Sequence, residues 1–378
     1  MEHDAKQLLA QHDIAVPPGC LIGSGAALPQ AALPPGPWLV KGQIASGGRG
    51  KAGLVRRAAT PQQVADCARA MLGATVRGRL VGAVRVEQQI DAAQESYLAL
   101  LIDPGAGGVR LIMAAQGGMD IESLPREQLR SAVTAPESAL LAGVAQRLAA
   151  GMPQPQSRAL RDAGEQLARI FIEREALLIE INPLFVKSDG SWVAGDAKII
   201  LDDNALVRQP GLQALLARRA AAYPETALKL EHGFDYVVVD PRGEIGLLTT
   251  GAGLSMMLID ELRAAGLKPY NFLDIRTGGL RGETRRLTQV LRWIARGGKV
   301  RVLLVNIFAG ITDLGEFSRL LVTALQEVPE LRVPVVARLV GNGLETARGV
   351  LAQAGVALHT DLDQALAEVR QHLGGNEQ

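Results

Sequence analysis

Two regimes of apolar spacing divide this chain. From Phe234 onward, near-continuous apolar runs alternate with amphipathic ones. FDYVVVD, GEIGLLTT, NFLDI, VRVLLVNIF, VPVVARLVG and VALHT read as strands, and SMMLIDELRAAG, ETRRLTQVLRWIARGG, ETARGVLAQAG and DLDQALAEVRQHL as helices. A further helix carries Leu314, Phe317, Leu320, Leu321, Ala324, Leu325 and Val328 on one face. Buried strands separated by amphipathic helices predict an α/β domain with a parallel, doubly wound sheet. Ligands in such sheets bind at the carboxyl ends of the strands. Those ends are TTGAG (249–253), DIRTGG (274–279), FAGIT (308–312) and LVGNG (339–343), each glycine-rich and each before a helix start. Exposed N–H groups there favour an anion. Taken singly, each reads more simply as an ordinary tight βα turn.

Before Phe234 the spacing is less regular. Residues 4–12 predict a helix behind an Asp cap, CLIG a short strand, and the proline-rich 24–37 a loop. PWLVKGQI and GLVRRAA predict strands on either side of the Gly-rich ASGGRGKAG, and Thr60-Pro61 with Gln63 marks a helix start. RLVGAVRVEQQI, SYLALLID and GVRLIMAA continue as strands, and residues 123–175 as mostly helical. The pattern places a domain boundary near Gly233, giving domains 1–233 and 234–378.

The stretch from Leu177 to Asp203 is the most informative. Two apolar runs flank KSDGS, which signals a hairpin. A three-residue loop, Ser188-Asp189-Gly190, with Gly190 left-handed, sets Asn182 opposite Asp196 and Glu180 opposite Lys198. A two-residue loop would put them on opposite faces. Two carboxylates, an amide and an ammonium on one face must be paired or hold an ion. A carboxylate beside an amide oxygen suits Mg²⁺, whereas a Glu–Lys pair on a half-wet sheet is the plainer alternative.

Gly48, Gly50 and Gly53 match G-x-G-x-x-G, but a strand follows where the dinucleotide motif needs a helix. Strand, basic glycine loop, strand describes a lid over phosphates or a solvated hairpin tip. Glu87, where its strand's apolar run breaks, is placed to accept from an adenine amino group or ribose hydroxyl, or is simply solvated.

Composition narrows the partners. The 378 residues carry a net charge of +1, so no nucleic-acid or membrane footprint is visible. No apolar run reaches the ~20 residues of a membrane helix. Cys20 and Cys67 lack metal spacing and nothing at the start resembles a signal peptide, so a cytoplasmic location is expected. The five histidines are not paired as zinc ligands.

Together, PWLVKGQIASGGRGKAG, QGGMDIE, LLIEINPL, GDAKIILDDNALVRQP, GAGLSMM, NFLDI and LLVNIFAGI resemble the β subunits of ADP-forming succinate–CoA ligase and of malate–CoA ligase. The resemblance spans residues 37 to 311 in the family's order. It implies an ATP-grasp domain followed by a flavodoxin-like CoA-ligase domain, in an enzyme converting acid, CoA and ATP to acyl-CoA, ADP and phosphate. By the same resemblance Lys41, Gly48, Arg49 and Gly50 bind the ATP phosphates, and Glu87, Ile90 and Glu95 line the adenosine side. It also implies that Asn182 and Asp196 hold Mg²⁺ and that Glu180 is the catalytic carboxylate orienting a phosphohistidine. The resemblance places that histidine and most of the CoA site on a partner α subunit, and none of the five histidines here sits in a comparable glycine-rich loop.

Thr250, Arg276, Gly310, Ile311 and Thr312 fall where the family holds its small organic acid. Here the chain departs from the pattern. Thr250 replaces an asparagine, Ile275-Arg276-Thr277-Gly278 a glycine run, and Asp313 a basic residue. The departures point to an acid other than succinate, with Arg276 as a new contact to an anionic group. Two other readings are an ATP-grasp carboxylate–amine ligase, which does not need the second domain, and a non-catalytic nucleotide-binding regulatory subunit.

Overall fold

Alternation and turn chemistry in the amino-terminal half build two antiparallel sheets. The computed structural model describes residues 1–378 apart from 25–32, 46–47, 77–78, 120, 276–281, 311 and 375–378. First come α1 (Glu2–Ala10), β1 (Gly19–Gly23), β2 (Trp38–Gln43), β3 (Val55–Ala58) and α2 (Pro61–Met71). The short β4 (Thr75–Val76) and β5 (Arg79–Leu80) and then β6 (Ala83–Gln88) follow. One sheet runs β1-β6-β2-β3, and Val64, Ala68 and Met71 of α2 pack with its Val40, Val84 and Val86. Thr60 caps α2 by accepting from the Gln63 N–H at 3.2 Å, as its sequence signals. β2 and β3 pair antiparallel with Lys41 opposite Val55, so the basic glycine segment does join two strands.

The second sheet contains β7 (Gln94–Asp103), β8 (Gly108–Ala114), β9 (Arg130–Thr134), β10 (Ala176–Val186), β11 (Trp192–Ala194) and β12 (Ala197–Leu201). Its order is β11-β10-β7-β8-β9, with β12 also on β10. Helices α3 (Ser138–Ala149) and α4 (Gln156–Glu173) bury Leu141, Val144, Leu160, Leu167 and Phe171 against Leu98, Leu111, Ile179 and Ile181. Two expectations need correction. β9 lies inside the stretch read as helical, because pairing with the edge of β8 overrides local propensity. α1 starts at Glu2, so Asp4 lies in its first turn and is not its cap.

The other elements are α5 (Pro210–Arg218), α6 (Pro224–His232), β13 (Asp235–Val238), β14 (Ile245–Thr249), α7 (Ala252–Ala264), β15 (Asn271–Asp274) and α8 (Arg285–Ala295). β16 (Val302–Ala309), α9 (Leu314–Gln326), β17 (Val335–Gly341), α10 (Leu344–Gln353), β18 (Ala357–His359) and α11 (Leu362–Gly374) complete the chain. The parallel sheet β14-β16-β17-β18 forms as expected, with helices on both faces. β13 does not join it but pairs antiparallel with β15. The Asn271 side chain explains how β15 still borders β14. Its amide accepts from the Leu247 N–H at 2.9 Å and donates to the Leu247 carbonyl at 2.8 Å, satisfying groups that a ladder would otherwise take.

The chain divides into compact units Met1–Gln213 and Ala214–Gln378, earlier than the boundary read at Gly233. The reason is that α6 packs on β13. Among the described residues no helix is long and apolar enough to cross a membrane.

Candidate active site

The hairpin adopts the three-residue loop. The Lys187 N–H donates to the Ser191 carbonyl at 2.9 Å, Gly190 has φ +80°, and Glu180 pairs with Lys198. Ile181 opposite Ala197 and Leu184 opposite Ala194 bracket Asn182 and Asp196 as facing positions. Lys198 is exposed, while the half-buried Glu180 lies beside the Tyr97 phenol. Burial raises the phenol's pKa, and Glu180 adds to the rise.

Around Asp196 the amino-terminal unit gathers a buried cluster of charges. Lys41 on β2 donates to Glu2 Oε1 at 3.0 Å, to Glu87 Oε1 at 2.7 Å and to the Gly195 carbonyl at 3.0 Å. Fully buried Lys6 donates to Glu87 Oε2 at 2.6 Å and to the same carbonyl at 2.8 Å. Arg85 Nε also reaches Glu87 Oε2, at 2.7 Å. Arg49 spans the cluster: Nη1 binds Glu2 Oε2, and Nη2 binds the Asp196 oxygens at 2.7 and 2.6 Å. Four cations thus meet three carboxylates, leaving an excess positive charge suited to an anion.

Electrostatics favour the charged forms of Lys41 and Glu2. Burial pushes Lys41 toward its neutral form, but Glu2, Glu87 and Asp196 reverse this and hold its pKa above the ordinary lysine value. Burial likewise disfavours the Glu2 carboxylate, yet Lys6, Lys41 and Arg49 hold it well below the usual carboxylate range. For Lys6, burial prevails and lowers the pKa.

Gly48 takes φ +73°, and the Leu54 N–H donates to the Arg49 carbonyl at 3.0 Å, closing the turn that carries half-buried Arg49 and exposed Gly50. Both carboxylate oxygens of Glu87 are engaged inside the cluster. Its side chain is therefore neither solvated nor open to an adenosine hydroxyl, because its strand neighbours Lys41 and Arg85 share its face. Ile90 is half-buried and Glu95 exposed at the start of β7. Asn182 Oδ1 accepts from the Gly118 N–H at 2.8 Å, and its Nδ2 donates to the Met119 carbonyl at 3.0 Å. Gly118 takes φ +73°, a left-handed conformation that suits glycine.

Asn182 and Asp196 fit a hard cation. Each presents oxygen, and Asp196 already holds a positive group in Arg49. Among the described residues no three or more His, Cys, Asp or Glu converge as ligands. Mg²⁺ needs no such cage, since it usually keeps waters and phosphate oxygens.

Gly195 presents its carbonyl to two ammonium groups because it has no side chain. A Cβ there would lie 2.4 Å from the Phe185 ring and 2.8 Å from the Pro183 carbonyl. Gly195→Ala is expected to cost about 1–3 kcal/mol through overpacking. It should lower the thermal midpoint by several degrees and weaken ATP binding as the carbonyl moves. Scanning calorimetry with an ATP titration checks both, and wild-type values in each would refute the account.

In the carboxy-terminal unit, Thr250 is half-buried after β14, and the next N–H, of Gly251, donates to Asp274 Oδ1 at 2.8 Å. Gly310 and Thr312 follow β16, and Asn342 Nδ2 reaches the Gly310 carbonyl at 3.4 Å. Asp313 has a local role, capping α9 by accepting from the Glu316 N–H at 2.8 Å. Arg276 and Ile311 lie outside the described residues.

The sequence reading had missed Glu2, Lys6, Arg85 and the Gly195 carbonyl. The available signal was the spacing of Glu2, Lys6 and Leu9, which share a helical face with an apolar residue. A Glu–Lys pair four apart otherwise reads as a solvated surface pair.

An ATP-grasp domain family matches residues 1–186, and a CoA-ligase family matches residues 248–371. The β subunit of an ADP-forming succinate–CoA ligase from Chloroflexus aurantiacus is 38% identical over 366 residues, covering 93% of each chain. The chain belongs to the ADP-forming succinate–CoA ligase β-subunit family. A succinate–CoA ligase β subunit from Desulfurococcus amylolyticus is 32% identical, over 99% of this chain and 98% of its own. A probable malate–CoA ligase β subunit from Mesorhizobium japonicum is 34% identical, over 94% and 92%. ATP citrate lyase from Methanothrix soehngenii, in complex with citrate and coenzyme A, shares the fold with a TM-score of 0.72 at 18% identity, over 97% of this chain and 98% of that one. The match over 248–371 sets the succinate–CoA ligase family apart from a carboxylate–amine ligase, which does not need that domain.

Proposed function

We propose that this chain is the β subunit of an ADP-forming acid–CoA ligase. It binds Mg·ATP in its amino-terminal unit and a small organic acid in its carboxy-terminal unit. A CoA-binding α subunit supplies the histidine that accepts the phosphoryl group. The observation carrying this reading is the convergence of Lys41, Arg49 and Asp196 on one buried cluster with a net positive charge. Such a cluster suits polyphosphate, and phosphoryl transfer depends on positioning and charge stabilisation more than on covalent help from the protein.

In this reading Lys41 and Arg49 exchange carboxylate partners for phosphate oxygens, and the amides of the Gly48–Gly50 turn add neutral donors. Mg²⁺, held by Asn182 and Asp196, would neutralise phosphate charge. Glu180 would accept from the incoming imidazole and keep it oriented for attack. Cys20 and Cys67 are free thiols, which suits the cytoplasm.

The acid is another small anion in preference to succinate. Thr250 and the segment 275–278 support this from their departures in sequence, whereas Asp313 is accounted for by capping α9. The test is kcat/KM for the assembled enzyme over a panel of dicarboxylates and sulfonates. A charged hydrogen bond from Arg276 contributes about 1.5–3 kcal/mol, so Arg276→Ala should cost roughly 10- to 100-fold for the preferred acid and little for ATP. Succinate as clear best substrate, with Arg276→Ala silent, would end the proposal about the acid.

A further inference from the structure

We propose that Glu2 is a positioning residue of the nucleotide site: it aligns Lys41 and Arg49 for phosphate and keeps Arg49 from committing wholly to Asp196. The inference rests on the nucleotide reading of this cluster. Lys41 comes from β2 and Arg49 from the glycine turn, and two cations brought together without a ligand repel each other. One carboxylate bridges them, since Glu2 Oε1 takes Lys41 at 3.0 Å while Oε2 takes Arg49.

Glu2 is itself fixed. Lys6, one helical turn later, lies 2.7 Å from the same Oε1, with side-chain exposures of 0% and 1% for the pair. Lys6 is anchored in turn by Glu87 and the Gly195 carbonyl. The chain of contacts from α1 to Arg49 therefore contains only buried or nearly buried side chains, and the two phosphate-facing cations lose their rotamer freedom before any ligand arrives. Arg49 divides its guanidinium between two carboxylates, Glu2 and Asp196. If Glu2 is neutralised, Asp196 becomes the remaining charged partner of Arg49 in this pair of contacts. A metal must then compete with Arg49 for Asp196. Glu2 thereby links the amino-terminal helix to metal-dependent nucleotide binding.

The experiment is calorimetric titration of the full chain with ATP, with and without Mg²⁺, for wild type, Glu2→Gln and Glu2→Asp. Glu2→Gln should bind Mg·ATP roughly tenfold or more weakly. The factor by which Mg²⁺ strengthens ATP binding should also fall several-fold. Glu2→Asp, which keeps the charge on a side chain one methylene shorter, should lie between. A purely structural Glu2 would lower the thermal midpoint and leave the Mg²⁺ factor unchanged, and that result overturns the inference. So does wild-type affinity in Glu2→Gln. Should Glu2→Gln fail to fold, Glu2→Asp decides on the same factor: a drop supports the inference, and the wild-type value overturns it. A wild-type chain that binds no Mg·ATP overturns the nucleotide reading and this inference together. Wild-type binding with an unchanged variant overturns this inference alone.

Discussion

Asp196→Ala is expected to abolish the Mg²⁺ dependence of ATP binding and to weaken Mg·ATP affinity by more than about 100-fold. The expectation follows from the place of Asp196 in the hairpin. It faces Asn182 in register, and both of its oxygens hold Arg49 at 2.6–2.7 Å. Removing the carboxylate would take away the proposed charged metal ligand. It would also leave Arg49 to settle on Glu2, further from the proposed phosphate position. The fold should survive, because Asp196 is half-buried and its contact to the backbone is a single bond from the Ala197 N–H at 2.7 Å. Losing one such bond costs about 1 kcal/mol. Titration of Mg·ATP alongside thermal denaturation separates the two effects. Wild-type affinity for Mg·ATP would refute the metal assignment.

Incubated alone with ATP labelled in its γ-phosphate, this chain should gain no acid-labile phosphate, whereas a mixture with its α subunit should label the α subunit. Each histidine already has a contact within the chain. The buried His3 main chain and ring bind Gln43 and Arg85, His12 contacts Arg174, and His359 and His372 both face Glu368. His232 lies against the Phe234 and Trp293 rings. A nucleophilic imidazole needs an open approach to phosphorus and a partner that holds its tautomer. Glu180, half-buried beside Tyr97, is the partner this chain would offer to an incoming ring. Glu180→Gln should accordingly slow labelling of the α subunit while leaving Mg·ATP binding intact. Phosphohistidine recovered on this chain would overturn the division of labour.

Much of the site was legible in the sequence because its chemistry is local. Ser188-Asp189-Gly190 sets the hairpin register through one left-handed glycine, and that register alone brings Asn182 to face Asp196. Strand, glycine turn and strand around Lys41 and Arg49 follow from spacing in the same way, as do the parallel strands after Phe234. Local signals failed where long-range pairing took over. Arg130–Thr134 becomes a strand only because β8 offers it an edge, and β13 leaves the parallel sheet because β15 is its partner.

By itself, then, the sequence determined the family, most of the elements and which polar residues share a strand face. Periodicity and turn chemistry act over a few residues and do not depend on the rest of the fold. Tertiary structure alone decided which charges meet. Glu2 and Lys6, a surface pair by spacing, become the buried centre of the site because residues 39, 81 and 189 positions away supply the opposite charges and the carbonyl they need. A buried charge is tolerated only where such partners converge. Convergence of that kind is set by the packing of α1 against two sheets, which no local pattern encodes.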